Sequence, residues 1–289
     1  MKAKINCFFS LVLIVFIAFI AVIISTTTKS ANAEVVTPYP TEKVYGDGIY
    51  GASTEVDASY TVYCDSTAVV ESASHYSAPA YLNANSGFTN ACGPITGTNV
   101  IGFFDRWYEN LIPNFTPGLF RQEDKYLYLP IVTQEVNSVM LELGSLMKTI
   151  EMGGTTSSNF KNGLKTYVNN QGYSFSYESF YNSAKSVNFN KLISAVEAGK
   201  VGVLMCSEYN FVSSISSYSG YVRVAKFNSS YNHMLMVYGY EVREYYNNGA
   251  VIRRDTFLKV SNGSNSGVTG YMLLDDYLTI DEAIIITIS

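Results

Sequence analysis

The sequence predicts an α+β protein in which helices come first and an antiparallel sheet follows. Between residues 92 and 197, four segments place apolar residues at helical spacing, and Gly and Pro residues separate them. From residue 200 the pattern changes to apolar or alternating runs, with a hairpin-turn signal at 247–249. Runs of helices followed by runs of strands are typical of the α+β class.

The first 33 residues have the order of a secretory signal peptide. Lys2 and Lys4 precede an apolar run over 8–24, and residues 31–33 read Ala-Asn-Ala, which fits the small-residue cleavage rule. The apolar run is close to the length that spans a bilayer, so an uncleaved membrane anchor is the alternative. In either case we expect the rest of the chain to be exported, either secreted or held at the cell surface.

Residues 79–289 are expected to form one domain, preceded by a segment of different composition. Residues 34–78 are rich in Ser, Thr, Tyr, Ala and Val and contain Pro38 and Pro40. We interpret this segment as an N-terminal extension or a pro-segment, with a linker as the alternative. The chain is mildly acidic, with a pI of about 5.1 and a net charge of −5, and it has no basic block. We therefore expect no nucleic-acid partner.

Cys92 stands at the start of the first predicted helix. Gly93 and Pro94 follow it, and an apolar run over 100–111 covers most of the helix circumference, which indicates a central helix. Proline is well tolerated in the first turn of a helix. Cys92 is therefore expected at the helix N-terminus, where backbone N–H groups and the helix dipole stabilise a thiolate. The two prolines that follow residue 111 are expected to end this helix.

Three further helices and six strands complete the predicted fold. Ser157 or Ser158 is expected to cap the second of these three helices, and Asn188 or Asn190 the third. The helices are expected at 132–147, 160–168 and 191–197. The strands of the sheet are expected at 201–205, 221–227, 233–242, 251–260, 270–274 and 284–289.

Cysteine usage excludes a disulfide framework. After removal of the signal segment three cysteines remain, Cys64, Cys92 and Cys206, and an odd number does not make a set of bridges. We interpret Cys206 as a core residue on a buried strand. A disulfide between Cys64 and Cys206 is the alternative, and it would leave Cys92 as the remaining thiol.

A thiol nucleophile needs a base, and histidine is the usual one. The chain has two histidines. His75 lies in the N-terminal segment and is interpreted as a surface residue, whereas His233 opens a strongly apolar strand. A lone histidine at a strand edge is usually structural, but this strand runs directly into Gly239 and Tyr240, which favours a catalytic interpretation.

Asn262 is the candidate to orient the His233 ring. The hairpin through 247–249 joins two antiparallel strands, so the end of the second strand returns to the start of the first. An amide at Asn262 would accept a hydrogen bond from the imidazole N–H. Asn265 is the alternative orienting residue, and a plain polar turn is the structural interpretation of both.

In the order of Cys, His and Asn, and in the sequences around them, the chain resembles papain-like cysteine peptidases. It is most similar to the bacterial branch that includes the peptidase domains of bacteriocin exporters, which process double-glycine leaders, and their secreted relatives. There a Cys-Gly-Pro helix start precedes a His-apolar-Gly-Tyr strand, as at 92–94 and 233–240 here. Residues 257–263 and 270–272 resemble the segment that carries the triad Asn and returns as a Gly-Tyr strand. The resemblance covers about residues 79–289 and implies a helical half, with the Cys on its central helix, packed on an antiparallel sheet.

The spacing of the three residues agrees with this resemblance. His233 lies 141 residues after Cys92, within the roughly 130–150 that papain-type enzymes show. Asn262 lies 170 residues after Cys92, and the long hairpin at 247–249 accounts for the excess.

The sequence departs from the family at the oxyanion hole. Family members usually carry a Gln six residues before the Cys, and Ser86 occupies that position here. Asn85 has the same amide donor on a shorter arm and is the candidate for the oxyanion hole, with Asn83 as the alternative. The branch also often has Asp as the third catalytic residue, where we read Asn262.

The resemblance implies a secreted peptidase that hydrolyses peptide bonds through a thioester, with Cys92, His233 and Asn262 as its triad. We expect a monomer whose partner is a peptide or protein substrate, and which meets a membrane only through an uncleaved signal segment. No cofactor is expected, and the acidic residues and histidines show no metal-ligand spacing. The alternatives are a related acyl-transfer enzyme, such as an amidase or a transglutaminase-like enzyme, and an inactive surface or binding module of the same fold.

Overall fold

A computed structural model describes the chain over eleven stretches, and every described residue lies within one unit, Glu42–Ser289. The predicted signal segment, His75 and residues 82–90 lie outside the described residues. The described stretches are 43–45, 55–73, 78–81, 91–115, 119–122, 125–128, 132–149, 154–181, 187–263, 269–274 and 276–289.

The described residues form four helices and a large antiparallel sheet, which confirms the α+β class. The helices are α1 Cys92–Asp105, α2 Gln134–Leu146, α3 Ser157–Asn170 and α4 Phe189–Glu197. The strands are β1 Val44–Tyr45, β2 Glu55–Asp57, β3 Tyr60–Tyr63, β4 Ser66–Ala73, β5 Leu119–Gln122, β6 Lys125–Tyr128, β7 Thr155–Thr156, β8 Phe175–Ser179, β9 Val201–Tyr218, β10 Tyr221–Ser229, β11 His233–Asn247, β12 Ala250–Ser261, β13 Thr269–Leu273 and β14 Thr279–Ile288.

Over the described stretches the main sheet has ten strands, and it is built around the long strand β9. The first half of β9 pairs with β11 and β14, and its second half pairs with β10 and β13. The hairpin of β11 and β12 forms as the turn signal predicts, with Asn248 and Gly249 at positive φ. Residues 55–73 add three strands to the same sheet, since β2 and β3 pair with β10 and β4 pairs with β11.

Both faces of the central strands are buried, each under different helices. Along β9, Val203 and Met205 join the cluster formed with α1, α2 and α3, whereas Leu204 and Cys206 join the cluster formed with α4. Successive side chains of a strand point to opposite faces, so both sets must be apolar. This explains why β9 begins as a continuous apolar run. It also confirms Cys206 as a core residue; Cys64, Cys92 and Cys206 are all present as thiols.

Helix α1 is the central helix, and all fourteen of its residues are buried. It ends earlier than predicted, at Asp105, and not at the prolines beyond residue 111. The carboxylate of Asp105 accepts a hydrogen bond of 2.8 Å from the Ile112 N–H. This bond stabilises a non-helical turn over residues 106–111, where the sequence predicts that the helix continues. Trp107 lies in that turn and is 42% exposed.

The caps of the other helices agree only in part with the prediction. Asn188 caps α4 and accepts from the Lys191 N–H, as one of the two alternatives predicts. Thr156, and not Ser157 or Ser158, caps α3 by accepting from the Asn159 N–H. None of the helices in the described part of the chain is long and apolar enough to cross a membrane.

Asp105 makes the free energy of unfolding depend on pH. Burial raises the pKa of this carboxyl from 3.8 to about 6; the negative charge of Glu109 adds to the rise, and the Ile112 N–H opposes it. Between these two pKa values the folded state binds a proton that the unfolded state does not. The cost of the buried charge is therefore full above about pH 6 and disappears as the pH falls to about 4.

We predict that Asp105→Asn, which retains an oxygen to accept from the Ile112 N–H, is more stable than the wild type at pH 7.5. The expected gain in the free energy of unfolding is about 1–3 kcal/mol, and it should shrink towards zero near pH 4. Urea unfolding of both proteins at several pH values measures this difference. A difference independent of pH, or a less stable variant at pH 7.5, would contradict the prediction.

Candidate active site

Cys92 is the first residue of α1, and its side chain is fully buried. The N-cap position is Ala91, whose side chain cannot accept a hydrogen bond from the first turn, and that turn contains no acidic residue. The N–H groups of the turn and the positive end of the helix dipole therefore act on the thiol without competition from a carboxylate cap. The helix N-terminus favours a thiolate, whereas complete burial of the side chain opposes it.

The first turn of α1 is attached to the strand that begins with His233. The Thr96 hydroxyl donates a 3.0 Å hydrogen bond to the main-chain carbonyl of Met234. Thr96 lies one turn after Cys92, and Met234 follows His233 directly. The contact therefore brings the thiol-bearing end of the helix to the histidine-bearing end of β11.

A second contact attaches the same helix to the end of β12. The Asn99 side-chain amide donates to the Ser261 hydroxyl over 3.0 Å, and the Asn99 oxygen accepts from the Tyr81 N–H over 2.8 Å. Ser261 immediately precedes Asn262. Helix α1 is thus bonded to the neighbours of both His233 and Asn262.

Gly263 closes the space between these elements. It has a φ of +59°, and a Cβ at this position would overlap the Thr96 hydroxyl and lie 2.6 Å from the Met234 carbonyl oxygen. The same position is 3.6 Å from the carbonyl oxygen of Cys92. The chain after Asn262 therefore passes directly between the first turn of α1 and the start of β11, so all three predicted catalytic residues lie on elements that meet at one place.

The His233 ring is buried and held by aromatic neighbours. It stacks on Tyr209 with a centroid distance of 4.9 Å, and the edge of Tyr231 meets it at 5.8 Å. The hydroxyls of Tyr209 and Tyr231 are hydrogen-bonded to each other over 2.9 Å. The sequence does not single out these two tyrosines, because Tyr is common throughout the chain.

His233 Nε2 is hydrogen-bonded to the main-chain carbonyl of Asn262. The sequence predicts the side-chain amide of this residue as the acceptor, whereas this bond runs to its backbone oxygen. A carbonyl oxygen can only accept, so Nε2 carries the proton. In the neutral ring Nδ1 then holds the lone pair and is the nitrogen able to act as a base.

The remaining predicted site residues cannot be placed. Asn85, Asn83 and Ser86 lie outside the described residues, and so does Asn265. The assignment of Asn85 to the oxyanion hole stays a prediction. Among the residues that the structure does describe, no three His, Cys, Asp or Glu side chains are grouped so as to hold a metal ion.

Comparisons of the chain with protein-family models, with curated proteins and with solved structures found no match.

We predict that Gly263→Ala lowers the free energy of unfolding by about 2–4 kcal/mol, from backbone strain at positive φ and from overlap with Thr96 and Met234. Gly249→Ala is the matched control, because Gly249 also has positive φ but has no atoms within 4 Å of the new Cβ. It should lose only the strain, about 1–2 kcal/mol. Chemical denaturation of the three proteins measures both values, and equal losses would show that the close approach at Gly263 does not matter.

Proposed function

We propose that the protein is an exported cysteine peptidase with a papain-like fold, and that Cys92 is its nucleophile. The observation that carries the proposal is the hydrogen bond from His233 Nε2 to the Asn262 carbonyl, which leaves Nδ1 as the proton acceptor. The bond between Thr96 and Met234 supports it, because it joins the helix end that bears the thiol to the strand end that bears the base.

The proposed reaction transfers an acyl group to water through a thioester. His233 Nδ1 takes the proton of the Cys92 thiol, and the thiolate attacks the peptide carbonyl carbon to give a tetrahedral oxyanion. The Cys92 N–H and an amide donor, for which Asn85 is the candidate, hydrogen-bond to the oxyanion. Cleavage of the C–N bond follows, and His233 gives its proton to the leaving amine. Water then loses a proton to His233, hydrolyses the thioester and releases the acid, and the thiol is restored.

Asn262 acts in this scheme as a positioning residue. Its carbonyl fixes the tautomer and rotation of the imidazole, while stacking on Tyr209 fixes the ring plane. A main-chain acceptor is present whatever the side chain at 262. We therefore expect the reaction to depend strongly on His233 and only weakly on the amide of Asn262.

The substrate class is a peptide or protein, and the mechanism uses no metal or cofactor. We place the protein outside the cytoplasm, secreted or attached to the cell surface through its N-terminal segment, and expect it to act as a monomer. The same chemistry would also serve an amidase or a transglutaminase-like enzyme, in which the acceptor of the acyl group differs.

We predict that a thiol-directed peptidase probe labels Cys92 in the wild type at neutral pH and that His233→Ala slows this labelling by about 10²–10⁴-fold, the usual contribution of a general base. Asn262→Ala should slow it less than about tenfold, because the carbonyl acceptor remains. His75→Ala is the matched control and should label at the wild-type rate. Labelled peptides identified by mass spectrometry give the rates.

Equal labelling of the wild type and His233→Ala would show that His233 does not activate Cys92, and the peptidase proposal would fail. Specific labelling without cleavage of any peptide in a diverse substrate library would favour the acyl-transfer alternatives. A protein that does not label at all, although it is folded, would favour the inactive binding module.

A further inference from the structure

Lys43, Val44 and Tyr45 form a short extended segment at the candidate active site. Val44 and Tyr45 constitute β1, which pairs antiparallel with β7, Tyr45 opposite Thr155 and Val44 opposite Thr156. The Asn232 side-chain amide donates a 2.9 Å hydrogen bond to the Val44 carbonyl. The segment is therefore held both by a main-chain ladder and by a separate amide donor.

Two partners of the segment, Thr155 and Asn232, lie close to the proposed catalytic residues. Thr155 touches Gly93, because a Cβ on Gly93 would lie 2.6 Å from the Thr155 Cβ, and Gly93 follows Cys92. Asn232 immediately precedes His233. The segment thus contacts Thr155, which touches the residue after Cys92, and Asn232, which precedes His233.

The side chains of the segment occupy a site of defined chemistry. Tyr45 is 2% exposed and belongs to the same buried cluster as Cys92 and Met234, and its hydroxyl donates to Asp281 over 3.3 Å. Burial and the nearby charge of Asp281 raise the pKa of the Tyr45 hydroxyl, so it stays a neutral donor. The ammonium group of Lys43 pairs with the other oxygen of Asp281 over 2.5 Å.

Main-chain pairing with an extended segment, together with burial of its side chains, is also how proteins bind a peptide as an added strand. Main-chain pairing provides affinity, and pockets for alternate side chains provide specificity. Here the Asp281 carboxylate binds the Lys43 ammonium group and the Tyr45 hydroxyl, which lie two residues apart in the segment. The buried ring of Tyr45 provides the apolar contact that anchors the segment.

We infer that the chain has a peptide-binding site for an extended segment of the type basic–aliphatic–tyrosine, formed by Thr155, Thr156, Asn232 and Asp281. Lys43–Tyr45 of the chain itself occupies this site. The inference rests on the proposed function, since it identifies the site as the one that holds peptides beside the reactive thiol. The segment and a peptide substrate of the same type compete for this site, so Cys92 of the wild type reacts only while the segment is transiently released. Release of the segment frees the site and access to Cys92.

The test uses the full chain with Tyr45→Ala, and with Tyr45→Phe as the matched control that retains the ring. Alkylation of each cysteine by iodoacetamide is followed by peptide mapping, with the buried Cys206 as the internal measure of an intact fold. We expect Tyr45→Ala to speed alkylation of Cys92 by about tenfold or more, because a buried aromatic anchor carries much of the binding energy of such a contact. Tyr45→Phe should change the rate much less, and Cys206 should stay unreactive in both.

A synthetic peptide with the sequence of residues 40–48, added in excess to Tyr45→Ala, should return Cys92 to the slow rate. The same peptide with Ala in place of the tyrosine should not. An unchanged Cys92 rate in Tyr45→Ala, or a peptide that gives no protection, would overturn the inference. Equally accelerated alkylation of Cys92 and Cys206 in Tyr45→Ala would also overturn it, because the substitution would then have loosened the whole fold and Lys43–Tyr45 would be a structural strand.

These outcomes are separate from those that test the peptidase proposal. If His233→Ala slows probe labelling of Cys92 but Tyr45→Ala changes nothing, the peptide-binding inference fails alone. If the peptide protects Cys92 but labelling is independent of His233, the peptidase proposal fails and the binding site stands.

Discussion

The close approach of the first turn of α1 to the start of β11 is the constraint on which the candidate site depends. The Thr96 hydroxyl reaches the Met234 carbonyl, and Gly263 fills the space beside them, where no side chain fits. The helix carries the thiol, β11 carries the imidazole, and the chain before Gly263 carries the carbonyl that holds the imidazole. A shift of the helix by one turn would move the thiol away from the start of β11, whereas the bond between His233 and Asn262 does not involve the helix.

Buried hydrogen bonds between α1 and the sheet fix the position of the helix, and they contribute less to the net stability of the fold. Thr96, Asn99 and Ser261 are fully buried, and each forms a side-chain hydrogen bond across the junction of helix and sheet. A typical hydrogen bond contributes a net ~1 kcal/mol, but a buried polar group left without a partner costs about 1–3 kcal/mol. Alternative positions of α1 on the sheet would leave these groups unpaired. The apolar faces of the central strands provide the burial, and the polar bonds select one position.

Local patterns predicted the elements that depend on local chemistry. The Gly93-Pro94 step indicates a helix that begins at Cys92, the Asn248-Gly249 pair indicates the hairpin, and Asn188 is one of the two residues expected to cap the last helix. The hairpin then brought Asn262 to His233 by antiparallel geometry alone. What the sequence did not predict depends on contacts between distant residues or on the backbone. The pairing of Tyr45 with Thr155 joins segments more than a hundred residues apart. The acceptor for His233 is a carbonyl, which every residue has and no residue type signals.

The state of the His233 ring tests the central claim most directly. Nitrogen-15 NMR of imidazole-labelled protein reports the protonation of each ring nitrogen, and His75→Gln leaves His233 as the single histidine. We expect Nε2 to stay protonated throughout the folded pH range, bound to the Asn262 carbonyl. We also expect Nδ1 to lose its proton at a lower pH in Cys92→Ala than in the protein with the thiol, because a thiolate stabilises the imidazolium. An unprotonated Nε2 in the neutral ring, or the same Nδ1 titration with and without the thiol, would contradict the pairing of His233 with Cys92.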